Sequence, residues 1–126
     1  MLLFSFGLFG QEQNTAARLA QEQLDAYNKR DIEAFLKPYH ENVKVYNHPD
    51  QLVFEGKEAM RKRYGPMFQS SPDLHCTLMN RMVLGNIVID QESVIFNKDQ
   101  PPTEVMAMYK IKDSKIVEVY FIRPNR

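Results

Sequence analysis

The feature that most constrains this chain is a change of pattern at residue 74. Downstream of it, LHCTLMNRMVL, IVIDQESVIF, TEVMAMYKI and KIVEVYFIR are rich in β-branched and aromatic residues, and Gly85-Asn86, residues 98–102 and Asp113-Ser114 separate them. Four such runs joined by short turns predict a meander of antiparallel strands, and one face of a meander must be covered. The cover lies upstream. From Asn14 to Asn28 the apolar positions Ala17, Ala20, Leu24 and Tyr27 recur at helical spacing, with Asn14 or Thr15 placed to cap. In DIEAFLKPY, Asp31 caps a short second helix whose Ile32, Phe35, Leu36 and Tyr39 share a face. Strand-like VKVYN, a turn at HPDQ and LVFEG follow. GKEAMRKRYGPMF then predicts a third helix through Met60, Tyr64 and Met67, broken or kinked at Gly65-Pro66. About three helices followed by a meander make an α+β domain, in which one curved sheet wraps the helices.

A chain of 126 residues is one domain. Sixteen basic residues balance sixteen acidic ones, so no net field draws the chain to nucleic acid or to an anionic membrane. The single cysteine, Cys76, excludes an internal disulfide and any cysteine-based zinc cluster. The apolar block MLLFSFGLFG, residues 1–10, is too short to span a bilayer, and stable membrane insertion is not expected. Its length and Gly10 suit the apolar core of a secretory signal that lacks its positive flank, which implies an exported protein whose domain spans 11–126. The alternative is an apolar arm packed on the domain or on a partner subunit in a cytoplasmic protein.

If Gly85-Asn86 is a two-residue turn, Leu84 faces Ile87, Val83 faces Val88, Met82 faces Ile89, Arg81 faces Asp90 and Met79 faces Glu92. Alternation then places His75, Thr77, Met79, Arg81, Val83, Val88, Asp90, Glu92 and Val94 on one face, and Cys76, Leu78, Met82, Leu84, Ile87, Ile89 and Ile95 on the other. A solvated face with an ordinary Arg81–Asp90 pair accounts for this mixture. So does a cavity in which Asp90 or Glu92 serves as base or ligand anchor, with the apolar face free for a dimer contact.

With AYNKRDIEAFLKPYHENVKVYNHP, FEGKEAMRKRYGPMF, NRMVLGNIVIDQESV and MYKIKDSKIVEVYFI in place, the chain from Ala16 to Arg123 resembles the nuclear transport factor 2-like superfamily, in its SnoaL-like branch. The resemblance implies a cone: a strongly curved antiparallel sheet wrapped around the helices, an internal pocket, and a homodimer through the sheet. It also implies a range of roles, from ketosteroid isomerases, cyclases, dehydratases and epoxide hydrolases to non-catalytic binding and assembly domains. The ketosteroid isomerase site does not carry over. Asn47 stands where that family has its catalytic aspartate, Gln23 where it has the oxyanion-binding tyrosine, with Tyr27 a turn further on, and Ala107 where it has a protonated aspartate. The same alignment turns Val43, Val45, Asn47, Val105, Ala107, Tyr109, Val117, Val119, Phe121 and Arg123 inward together with Asp90 and Glu92.

His40, His48 and His75 lack metal-ligand spacing, and phosphate-binding glycine loops, GxSxG elbows and CxxC pairs are absent, so neither metal nor cofactor is expected. His48, before a proline at a strand end, is either a general base at the cone mouth or a turn residue. Lys57, Arg61, Lys62 and Arg63 read as a solvated helix face. The expected role is a binding domain for a small apolar or aromatic molecule, with His75, Arg81, Tyr109, Phe121, Arg123 and Tyr27 in its pocket. The alternatives are a cofactor-free isomerase, cyclase or dehydratase and a dimeric assembly module. For the enzyme, Asp90, Glu92 or His48 is the base and Tyr46, Asn47 or Tyr109 the hydrogen-bond donor.

Overall fold

The computed structural model describes residues 2–125, with the backbone alone for residues 2–9. Three helices, α1 (Leu2–Lys29), α2 (Ile32–Leu36) and α3 (Lys57–Ser70), pack on one curved sheet. Its strands are β1 (Tyr39–Asn47), β2 (Gln51–Glu55), β3 (His75–Leu84), β4 (Ile87–Ile95), β5 (Thr103–Lys112) and β6 (Lys115–Ile122). The order across the sheet is β2-β1-β6-β5-β4-β3. The expected meander β3 to β6 is antiparallel throughout, as is the β1/β2 hairpin. The seam between them, β1 on β6, runs parallel, because the chain returns to the sheet through α3 and the whole meander.

The helix α1 runs through Asn14 and Thr15 instead of being capped there, and no proline interrupts it upstream from Leu2. How the side chains of that block pack, as a docked arm or otherwise, lies outside the described residues. The buried stripe of α1 is Ala16, Leu19, Ala20, Gln23, Leu24 and Ala26, with one amide among apolar groups. Asp31 caps α2 by accepting from the Ala34 N–H at 3.1 Å. The expected break at Gly65-Pro66 does not occur: α3 continues to Ser70, anchored on both sides of Pro66 by buried Met60 and Phe68. Its packing on the sheet outweighs the hydrogen bond that proline cannot make.

Turn chemistry sets the strand register. Gly85-Asn86 and Asp113-Ser114 form two-residue turns, with Gly85 (φ 57), Asp113 (φ 50) and Ser114 (φ 60) in the left-handed region, and Leu84 pairs with Ile87 and Lys112 with Lys115. Arg81 faces Asp90 as expected, but the frame then slips. A bulge at Met79 pairs Leu78, not Met79, with Glu92. Below that point the two faces of β3 exchange: Cys76 and Leu78 turn inward, while His75, Thr77 and Met79 are exposed. A second bulge at Val117 sends Ile116 into the core, so Val117 is not one of the inward residues.

Candidate functional site

The concave side of the sheet and the helices enclose a cavity of about 190 Å³. Its aromatic wall is formed by Tyr27, Phe35 and Tyr64, backed by Phe68, with ring centroids in this cluster 4.8–6.3 Å apart. Edge-to-face and tilted contacts of this kind contribute about 0.5–1.5 kcal/mol per pair beyond the area they bury, and they keep the wall rigid. β1 contributes Val45 and Asn47, β5 contributes Val105 and Tyr109, and β6 leads into Phe121 and Arg123. Cys76 and Glu92 enter from β3 and β4.

Two acidic side chains sit on the buried face of β4, and their surroundings differ. Asp90 is fully buried, and Arg81 binds both of its oxygens, Nε to Oδ1 at 2.7 Å and Nη2 to Oδ2 at 2.9 Å. The remaining guanidinium edge donates to Gln21 Oε1 at 2.9 Å. This is a closed ion pair, and neither member lines the cavity. Glu92 is 6% exposed, lines the cavity and has no ion-pair partner among the described residues. Burial, reinforced by the charge of Asp90, pushes its carboxyl up from 4.5 to about 7, against the opposing pull of the Cys76 thiol and Arg81. The Cys76 thiol is itself pushed up by burial and by Glu92, so it stays protonated.

Behind the cavity runs a polar chain that sequence reasoning did not identify. Gln23 Nε2 donates to the Ala20 carbonyl at 2.9 Å, which fixes the orientation of the amide because that carbonyl can only accept. The same Nε2 donates to the Tyr109 hydroxyl at 3.1 Å, and the Tyr39 hydroxyl donates to Gln23 Oε1 at 3.1 Å. With both amide hydrogens committed, Tyr109 accepts from Gln23 and keeps its own O–H to donate into the cavity. Burial holds the Tyr39 and Tyr109 hydroxyls well above their ordinary range, so both are donors at neutral pH.

Of the residues expected at a site, Tyr27, Asn47, Glu92, Tyr109, Phe121 and Arg123 meet around this cavity. His75 does not, because the Met79 bulge turns it outward. Tyr46 lies on the outer face, where strand alternation between inward Val45 and Asn47 places it, and its ring stacks on Tyr120 at 4.7 Å. His48 is an exposed turn residue outside the lining. Arg81 and Asp90 are neighbours of the site, not members of it. Gln23, Tyr39, Tyr64, Cys76 and Arg63 were missed as lining residues. Two signals marked Gln23: its place on the apolar stripe of α1, where an unpaired amide is costly, and its alignment with the oxyanion-binding tyrosine of the ketosteroid isomerases.

The SnoaL-like domain family matches residues 20–119 of the chain. Among curated proteins none matches it. Solved structures are similar over most of their length. A cystatin-fold protein from Novosphingobium aromaticivorans, described as uncharacterised, is 25% identical over 86% of this chain and 97% of that one, with a TM-score of 0.78. A SnoaL-like protein of unknown function from Burkholderia thailandensis is 17% identical over 90% and 97%, with a TM-score of 0.75. An epoxide hydrolase from M. tuberculosis is 14% identical over 90% and 85%, with a TM-score of 0.76.

Proposed function

The chain belongs to the SnoaL-like family, and from that premise we propose that its cavity binds a small apolar or aromatic molecule and moves a proton on it, with Glu92 as the acid–base group. One observation carries this reading: a carboxyl 6% exposed, without a cation of its own and held near pKa 7, lines an otherwise largely apolar and aromatic cavity. A carboxylate in that state is a stronger base than one in water, and it exchanges its proton near neutral pH. A cavity of about 190 Å³ suits one ring or a small fused pair, given that an engineered apolar cavity of about 150 Å³ holds benzene.

The step follows from the lining. Glu92 takes a proton from an acidic C–H, and the bonding pair moves toward an electronegative atom, where the Tyr109 O–H donates a hydrogen bond to the developing charge. Return of the proton to another carbon completes an isomerisation; departure of a leaving group completes an elimination. Nitrobenzisoxazole is a suitable probe, because its ring opening needs only a base to remove the C–H proton as the N–O bond breaks. The expected rate rises with pH, levels above about 7 and is lost in Glu92→Gln. A rate unchanged in that variant, or no acceleration over buffer, removes Glu92 as a base and leaves a binding pocket.

The outer face supports a homodimer through the sheet. Met82, Ile89, Met108, Tyr120 and Tyr46 are register neighbours in one row across five strands, and Met82 and Leu84 are 59% and 70% exposed. A row of this kind is the self-complementary apolar surface that a second copy would cover.

A further inference from the structure

The cavity's positive charges sit at its mouth. Arg63 comes from α3 and Arg123 follows the last strand; both line the cavity and both are exposed. Neighbouring cations on α3 face carboxylates: Arg61 pairs with Glu33 and Glu58, and Lys57 approaches Glu41. Among the described residues neither Arg63 nor Arg123 has an ion-pair partner.

Both guanidinium groups are nevertheless held in place. Arg63 lies over the Phe54 ring and Arg123 over the Phe121 ring, each 5.6 Å from the centroid. The Nη1 of Arg123 also donates to Asn47 Oδ1 at 2.9 Å. Stacking occupies the flat face of a guanidinium and leaves its edge, with most of its five N–H donors, free to meet a planar anion. The two groups also act on one spot. Burial pushes the Tyr64 hydroxyl up to about 12, and the charges of Arg63 and Arg123 both pull against it.

We propose that this mouth receives the anionic end of the ligand, so that the molecule bound here is a small carboxylic acid, its apolar body inside the cavity and its carboxylate between Arg63 and Arg123. The proposal rests on the reading of the cavity as a ligand site and adds the chemical class of what enters it. Two oxygens in a plane match the edge of a guanidinium in a bidentate contact. The charge layout also orients the molecule, because a carboxylate driven inward would meet Glu92.

Binding of an anion should therefore take up a proton. The groups facing Glu92 are Cys76 and Arg81 on β3, Asp90 on its own strand, Tyr27 on α1, Tyr39 on β1, Tyr64 on α3 and Tyr109 on β5. The one cation among them, Arg81, is already bound to Asp90, so a ligand anion raises the proton affinity of Glu92 further and binds more tightly below neutrality.

Calorimetric titration of the full chain with phenylacetate and with phenylacetamide tests this. At about pH 6 the acid should bind roughly ten-fold tighter than the amide or better, and at about pH 7.5, where Glu92 of the free protein is mostly ionised, it should take up protons from the buffer as it binds. In the double variant R63M/R123M, exposed positions whose folding circular dichroism verifies, the two affinities should become equal. Equal affinities in the native protein, a preference that survives the double variant, or no binding of either compound at millimolar concentration overturns the proposal. The acid–base reading fails separately: a Glu92 carboxyl that titrates like an ordinary glutamate in carboxyl-carbon NMR of the ligand-free protein sinks that reading, while the acid-against-amide comparison still stands.

Discussion

Replacing Glu92 by glutamine should make the protein more stable at neutral pH and nearly remove one component of its pH dependence. Burial raises the folded-state pKa of Glu92 from 4.5 to about 7. Below the lower value both the folded and the unfolded chain hold the proton, and the group has no effect on stability. Between the two values the folded chain binds more proton than the unfolded one, so stability falls as pH rises; above about 7 the loss is complete. A displacement of that size corresponds to about 3 kcal/mol, and at 6% exposure solvent screens little of it. Glutamine keeps the shape and can still accept from Cys76, but it carries no charge to desolvate. Urea unfolding of both proteins at about pH 5 and about pH 8 measures the difference, and about 3 kcal/mol should appear as a relative midpoint shift of about 1–2 M. The three histidines, present in both proteins, cancel in the comparison. Parallel stability curves across this range would show that Glu92 is solvated or neutralised, and the reasoning about its basicity would fail with them.

Arg81→Met should cost about 3–5 kcal/mol by leaving Asp90 buried without its guanidinium; urea unfolding of R81M should also show partial recovery in the double variant R81M/D90N. Gln23→Leu should cost about 2–4 kcal/mol, because Tyr39 and Tyr109 both lose their hydrogen-bond partner, whereas Tyr109→Phe should cost about 1–2 kcal/mol. Thermal unfolding ranks the two, and the reverse order would contradict the hydrogen-bond chain. Met82→Glu with Leu84→Glu places charges on the outer apolar row and should convert a dimer to a monomer in sedimentation velocity without loss of secondary structure.

The fold was legible wherever local chemistry and long-range packing agree. Helical spacing around Leu24, the Asp31 cap and the Gly85-Asn86 turn each state one answer, and the turn carries the register as far as Arg81–Asp90. Glu92 could be named because it follows Asp90 at the strand period. The bulge at Met79 could not be read, because HCTLMN contains apolar and polar residues in either frame and nothing local selects one. Pro66 misled for the opposite reason: a local rule gave way to the burial of Met60 and Phe68. Arg63 reads as one more charge on a basic helix until the sheet brings Phe54 beneath it.

The bulge also determines which sequence changes the cavity would register. Met79 is the residue in excess, 61% exposed, and a chain lacking it would still pair Leu78 with Glu92 and keep the same groups inside. Loss of Thr77 instead would move His75 into the place that Cys76 holds, exchanging a thiol for an imidazole beside the buried carboxyl. Along four residues of one strand, shortening is therefore silent at one position and a change of chemistry at another.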